Sequence, residues 1–372
     1  MAATGEGFSE VDERMMELAL RAAARGRPSP NPHVGAVLAR NGEVISVGHH
    51  SRCGRAHAEV AAIERAGRRA REATLYVTFE PCNHFGRTGP CSEAIIEAGI
   101  RRVVIGCKDP APHKPGSTRK LRAAGIEVVI GVLEERARKM VADFTKCRLQ
   151  GLPFVTLKAA ITLDGRTASR TGQSKWVTGE LARREAHRMR ASSDAVMVGV
   201  GTVLADDPRL TVRAVRGTDP KRIVIDTHLK TPPRSKIVRH DSSSPTLIFH
   251  GVDASPNRKR RLAVEGVELV SLGRAGARRI GLRAVLQELV RRDVVRLLCE
   301  GGSHIHGSLL DGGLVDRVAL FLAPCILGDA RAVPMAQGRG VARLADAWRV
   351  CDVSVRRLGD DLLVAGDIRR TK

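Results

Sequence analysis

Aromatic residues are scarce in this 372-residue chain: two Trp, one Tyr and seven Phe make up 3% of it. So few rings leave few platforms for stacked bases, which argues against a specific single-stranded nucleic-acid partner. Long apolar runs are missing too. No uninterrupted run approaches the ~18 residues of a membrane span, so the chain reads as soluble and no membrane partner is expected. Its first residues, MAATGEGFSEVDERMMELAL, lack a basic stretch followed by an apolar one and do not read as a signal peptide. A cytoplasmic protein is the expectation. Eight cysteines scattered over this length make no disulfide framework; in such a chain they more often serve metal binding or catalysis. Residues 150–372 carry no Gly-x-Gly-x-x-Gly opening a helix after a strand, so a Rossmann dinucleotide site is unsupported.

What is abundant is positive charge. Lys and Arg number 62 against 40 Asp and Glu, a net charge of +22. The excess is mostly Arg, spread along the chain in segments such as RRAREA and ELARREAHRMR that read as solvated helix faces. Arg also suits small anionic substrates, phosphates above all.

The length predicts two domains. Residues 12–25 have helical periodicity with Asp12 near the start, and a Pro-rich loop, GRPSPNPHVG, follows. AVLARNGEVISVG reads as two strands around Asn41-Gly42, a strong hairpin signal. A helix over HAEVAAIERAG ends at Gly67, ATLYVTFE is a buried strand, and CSEAIIEAG is a helix ending at Gly99. IRRVVIGC, STRKLRAAG and IEVVIGVL continue as strand, helix and strand, and a helix runs over 134–150. This alternation predicts a layered α/β domain. Gly151 and Pro153 punctuate the chain, and strand and helix signals then start afresh. The boundary is placed near 149, giving domains 1–148 and 149–372. Residues 251–280 are charged and read as a surface loop around one strand, VELVSLG. No internal repeat relates the halves.

Chemistry concentrates in RAHAEVAAIERAG at 55–67 and FEPCNHFGRTGPC at 79–91. His57, Cys82 and Cys91 offer one imidazole and two thiolates, a ligand set that suits Zn²⁺ and leaves its fourth position to water. An open zinc site lowers the pKa of water towards ~7. Glu59, two residues from His57, then has the task of general base and acid. H-x-E followed by P-C and a later Cys is the signature of zinc nucleobase deaminases, here with eight residues rather than two between the cysteines. Buried thiols with a helix-capping His are the bland alternative, and Cys53 or His84 are alternative ligands. In the second half, VRLLCEGGSHIHGSLL runs strand, Gly-Gly, helix; glycines admit a ligand to the backbone, and the helix N-terminus offers N–H groups to phosphate. GVGTVLADDPRL adds a second Gly-bearing turn, with Thr202 and Asp206 as polar candidates. Lys158 and Glu300 are charges at strand positions, costly unless paired or functional. His304 and His306 read as donors beside a phosphate.

The inserted loop and its surroundings resemble one family. PNPHVGAVLARNGEVISVGHHSRCGRAHAEV and ATLYVTFEPCNHFGRTGPCSEAIIEAGIRRVVIG are similar to the deaminase half of bifunctional riboflavin-biosynthesis deaminase/reductases. VTLKAAITLDGRTASRTGQSKWVTG, RASSDAVMVGVGTVLADDPRLTVR and CEGGSHIHGSLLDGGLVDRVALFLAPCILG resemble its reductase half. The resemblance implies a cytidine-deaminase-like three-layer α/β domain followed by a dihydrofolate-reductase-like α/β domain. It implies hydrolytic deamination of a phosphorylated ribosylaminopyrimidine, then reduction of its ribosyl chain to ribityl with NADPH. It carries over His57, Cys82 and Cys91 as zinc ligands and Glu59 as proton shuttle, with Asn31 and His50 in the pyrimidine pocket; Asn31 before Pro could equally be a turn former. It places Ala160, Trp176, Thr202, Asp206 and the run Gly302, Ser303, His304, Ile305, His306, Gly307 and Ser308 on NADPH. Lys158, Ser174, Arg190, Leu210, Arg213 and Glu300 fall on the substrate, Arg190 and Arg213 as phosphate clamps. The chain departs from the family at TGPC, where Thr-Pro-Pro-Cys is usual, and at 109–118, where Ala111 replaces Asn. A base-editing deaminase acting on tRNA, with a basic accessory domain, is the alternative function; it leaves the second motif set without a purpose. A homo-oligomer is compatible with the sequence.

Overall fold

The computed structural model describes residues 8–85, 89–110, 116–239, 242–273 and 275–370. Ala111, one of the departures above, lies outside them, whereas Gly89, which stands where the first Pro of Thr-Pro-Pro-Cys is usual, is among them. The chain separates into two compact units, Met1–Gly151 and Leu152–Lys372. Among the described residues no helix is long and apolar enough to cross a membrane.

In the first unit α1 (Glu10–Ala23) starts two residues before the expected position, because Ser9 Oγ caps it by accepting from Asp12 N–H. Asp12 is buried, and its carboxylate takes Arg102 at 2.7 Å and Tyr76 Oη at 2.9 Å. Strands β1 (Gly35–Arg40) and β2 (Glu43–His49) meet at Asn41 and Gly42, with φ of 51° and 77°. Positive φ at both central residues makes the tight hairpin that Asn-Gly favours. Then follow α2 (Ala58–Ala66), β3 (Thr74–Phe79), α3 (Cys91–Glu97), β4 (Arg102–Cys107), α4 (Ser117–Ala123) and β5 (Glu127–Ile130). The helix expected over 134–150 is broken: α5 (Glu134–Met140) and α6 (Ala142–Gln150) meet at Val141, which leaves helical geometry as its side chain enters the core.

The sheet runs β2-β1-β3-β4-β5, with β1 antiparallel to both neighbours and β3 to β5 parallel. Two glycines set its layers. A Cβ on Gly35 would lie 2.0 Å from Ala19 O of α1, and one on Gly48 would lie 2.1 Å from Ala58 O of α2. Gly48 pairs with Ala36, the neighbour of Gly35. Adjacent strand residues face opposite sides, so α1 and α2 cover opposite faces and the unit has three layers.

The second unit contains β6 (Phe154–Thr162), β7 (Arg166–Ala168), α7 (Glu180–Ala191), β8 (Ala195–Gly199), α8 (Val200–Asp206), β9 (Lys221–Ile225) and β10 (Thr246–His250). It continues with α9 (Pro256–Leu262), β11 (Val267–Ser271), α10 (Leu282–Arg291), β12 (Arg296–Gly301), α11 (Ser303–Asp311), β13 (Arg317–Ala323), β14 (Val333–Pro334), β15 (Trp348–Leu358) and β16 (Asp361–Arg370). Helix α9 corrects the loop reading of 251–280. Proline at its start is pre-set for helix, and Leu262 buries while the basic residues face outward. The main sheet is ordered β11-β10-β9-β8-β12-β6-β13-β16-β15. From β11 to β13 neighbours are parallel; β16 and β15 close one side as an antiparallel hairpin. Strands β8 and β10 are buried throughout, which is why they read as continuous apolar runs. Edge strand β15 is mostly exposed, with a register shift between Cys351 and Ser354. Strand β12 enters late and inserts between β8 and β6. A sheet whose strand order reverses opens a crevice at the carboxyl ends there.

Candidate active sites

His57 is the residue before α2, Cys91 is the first residue of α3, and Cys82 lies just past β3. Three elements thus converge on one point. His57 Nδ1 is 3.1 Å from Cys91 Sγ and 3.6 Å from Cys82 Sγ, and the two sulfurs are 3.5 Å apart. A tetrahedral zinc with bonds of ~2.0–2.3 Å separates its ligands by roughly 3.5–3.8 Å. Among the described residues these three form the cluster able to hold a metal; Cys53 and His84, the alternative ligands, are not in it. The contact between the two sulfurs pulls the Cys82 pKa down and pushes that of Cys91 up.

Glu59 is 2% exposed, and its Oε2 has no hydrogen-bond partner among the described residues. A buried carboxylate oxygen without a partner is costly. It fits a site in which water or substrate completes the set. Burial pushes the Glu59 pKa up, as proton transfer in both directions requires. His50 lies edge-on to His57 at 5.0 Å between ring centres. Its Nδ1 is 3.1 Å from Ala56 O and must donate there, so Nε2 accepts from Asn31 Nδ2 at 3.0 Å. The Asn31 N–H closes a turn on Pro28 O, and its side-chain amide reaches His50.

Glu80, unnoticed in the sequence, joins two distant segments. Its carboxylate accepts from Asp109 N at 3.3 Å and from Thr118 Oγ1 at 2.8 Å, clasping both ends of the connection between β4 and α4.

The second site sits where β12 parts β8 from β6. Gly301 has φ 129°, and a Cβ on Gly302 would lie 3.1 Å from Thr202 Oγ1. Thr202 on α8 and the start of α11 therefore face each other across the Gly-Gly turn. Ser174 Oγ donates to Asp206 Oδ1 at 2.9 Å, and Lys175 Nζ donates to Asp206 O at 3.0 Å. Trp176 is 71% exposed, with the Arg183 guanidinium 4.6 Å from its ring centre. It is no core residue. Ala160 pairs with Phe321 of β13.

The run 302–308 divides. Gly302, Ser303 and His304 lie at the open end of α11, and His304 is exposed. Ile305 packs on Gly199, and a Cβ on Gly307 would lie 2.3 Å from the Gln337 carbonyl. His306 is 2% exposed, with Nδ1 3.0 Å from Met335 O. Helical period turns His306 inward, whereas His304 faces out.

Beside this turn lies a buried charge cluster. Arg190 forks onto Glu300 at 2.5 and 2.8 Å, and Lys158 Nζ is 3.8 Å from Glu300. Burial would raise the Glu300 pKa, but Arg190 and Lys158 outweigh it and hold the carboxyl at about 2. Burial lowers the Lys158 pKa. Arg190 Nη1 also donates to Thr211 O, so its fork is largely committed within the protein. Arg213 keeps its guanidinium more open, donating to Thr211 Oγ1 at 2.8 Å. Leu210, at φ 54°, is buried in the bend between them. His187 belongs here too and was missed, because its tie to the Arg213 backbone spans 26 positions.

Residues 153–364 match the family model for the RibD C-terminal domain, and residues 9–107 match the cytidine and deoxycytidylate deaminase zinc-binding region. The riboflavin biosynthesis protein RibD of Aquifex aeolicus is 41% identical over 95% of this chain and 98% of its own. A diaminohydroxyphosphoribosylaminopyrimidine deaminase/5-amino-6-(5-phosphoribosylamino)uracil reductase from Thermotoga maritima is similar in structure, with TM-score 0.83, 35% identity, and 97% and 99% of the two chains covered. RibD from Acinetobacter baumannii gives TM-score 0.84 at 33% identity over 97% and 99%.

Proposed function

The chain belongs to the RibD family of riboflavin-biosynthesis enzymes, and from that membership we propose how its own residues divide two successive reactions. It is a bifunctional deaminase and reductase that uses Zn²⁺ and NADPH. The substrate of the first reaction is 2,5-diamino-6-ribosylamino-4(3H)-pyrimidinone 5′-phosphate, and the second reduces the ribosyl chain of its deaminated product. The first unit carries the deamination and the second the reduction.

His57, Cys82 and Cys91 hold the zinc. When bound, it supplies a water acidic enough to react at neutral pH. Glu59 Oε2 takes a proton from the attacking water and returns it to the departing amino nitrogen. Its burial keeps the carboxyl ready to hold that proton. His50, with its tautomer fixed by Ala56 O, and Asn31 orient the pyrimidine ring beside it.

In the second unit NADPH supplies the hydride. Gly302, Ser303 and the open start of α11 bind its phosphates, because free N–H groups there point at an anion. Thr202 and the Ser174–Asp206 pair border the same groove, with Ala160 and Trp176 along it. Arg213 and the remaining N–H groups of Arg190 bind the substrate phosphate, while Lys158 and Glu300 orient the sugar chain. The enzyme acts in the cytoplasm on phosphorylated small molecules, without a nucleic-acid or membrane partner, and self-association of the chain is compatible with this.

One observation carries the reading: a His-Cys-Cys cluster at zinc spacing with a buried, unpartnered carboxylate oxygen two residues from its His. Feeding the phosphorylated diaminopyrimidine with and without NADPH tests it. Ammonia should appear in both cases and NADPH should be consumed only after deamination. Ammonia release by a Cys82→Ser protein at the wild-type rate would overturn the zinc assignment.

A further inference from the structure

Arg213 donates its backbone N–H to Nδ1 of His187 across 3.1 Å. A ring nitrogen that accepts carries no proton, so neutral His187 holds its hydrogen on Nε2. His187 lies three residues before Arg190 on α7, the spacing that sets two side chains on one face of a helix. Its ring is half-buried. The charges it feels come from four sides: Arg190 on its own helix, Arg213 after α8, Glu300 on β12 and Lys158 on β6. Three of these four are cations. Together with burial, named first, they push the His187 pKa down to about 4, so the ring is neutral at physiological pH.

A donor is wanted at this place. Arg190 gives two donors to Glu300 and one to Thr211 O, and Arg213 gives one to Thr211 Oγ1. A phosphate has three terminal oxygens to satisfy. A further cation would be repelled by the three already there, whereas a neutral N–H adds a donor without adding charge.

We propose that His187 is a further substrate-binding residue of the reduction, presenting Nε2–H to the substrate phosphate beside Arg190 and Arg213. This rests on the phosphate-clamp reading of those two arginines. The bond that fixes the tautomer also fastens the Arg213 backbone to α7, so donor and guanidinium keep one spacing.

Three variants of the full chain test it, with NADPH oxidation followed on the deaminated substrate and on its dephosphorylated form. His187→Phe keeps the ring and removes both nitrogens. It should raise KM for the phosphorylated substrate about tenfold or more, the worth of a hydrogen bond to a charged group. It should leave kcat and the KM for the dephosphorylated form unchanged. His187→Gln, which returns an amide donor near the Nε2 position, should recover most of the loss. A KM that rises equally for both forms makes His187 a structural prop and overturns the proposal. Arg213→Ala keeps the N–H that ties His187 and removes the guanidinium. If Arg213→Ala abolishes the preference for phosphate while His187→Phe leaves it intact, the role of His187 alone falls. If neither change alters the preference, the clamp reading falls with it.

Discussion

Glu300→Gln removes the one anion of a buried cluster while keeping its shape. Glu300 is 6% exposed, faces Arg190 at 2.5 Å and Lys158 at 3.8 Å, and is held at about 2 against 4.5 for an ordinary glutamate. At 1.36 kcal/mol per pH unit, that depression corresponds to about 3 kcal/mol. Removing one partner of a buried pair costs ~3–5 kcal/mol by direct comparison, so two routes agree. Both tryptophans, Trp176 and Trp348, lie in the second unit, so tryptophan fluorescence reports its unfolding. With m of ~1–3 kcal/mol per M, the urea midpoint should fall by roughly 1–3 M. The sign in pH follows from a depressed carboxyl. Its increment is complete above about 4.5 and is lost as pH falls through about 2. The gap between wild type and Glu300→Gln should therefore be about half closed near pH 3. A midpoint shift below ~0.3 M at pH 7, or a gap constant down to pH 3, would refute the cluster's energetics.

Glu59→Gln should keep zinc by elemental analysis and lose ammonia release by ~10²–10⁴-fold; loss of the metal would instead make Glu59 a ligand. Gly302→Val sets side-chain atoms where Thr202 Oγ1 already stands 3.1 Å from the Cβ position, so NADPH affinity by fluorescence titration should drop at least about tenfold while ammonia release continues. Gly307→Ala drives a methyl against the Gln337–Gly338 backbone and should destabilise the second unit by ~1–3 kcal/mol in the same urea assay.

The cluster of His57, Cys82 and Cys91 with Glu59 beside it was legible because H-x-E and P-C fix residue type and spacing together, and few other tasks need that pattern. The Asn41-Gly42 hairpin was legible for a local reason: both residues must take positive φ. What stayed hidden depends on partners far along the chain. Asp12 marked only the start of a helix, and the partner that accompanies its burial is Arg102, 90 positions away. Arg190 looked like an open phosphate clamp, yet Glu300, 110 positions on, takes its fork. The break at Val141 and the small helix α9 escaped because their cause is burial of Val141 and Leu262 against a core the local sequence does not contain. The closing hairpin β15–β16 escaped for a related reason: β15 is mostly exposed and shows no clean alternation.

That same strand governs how the protein behaves in a flask. Strand β15 ends the order of its sheet among the described residues, and Val350, Val353 and Val355 are 38%, 53% and 61% exposed on it. An unpaired edge of this kind invites another chain to add a strand. The chain restrains the invitation with the register shift at 351–354 and with Arg349 and Arg357, whose charges repel their copies on a neighbouring molecule. That repulsion reaches ~10 Å at 0.1 M salt and only ~3 Å at 1 M. The salt used to strip adhering nucleic acid from so basic a protein therefore also weakens its guard against strand-to-strand association.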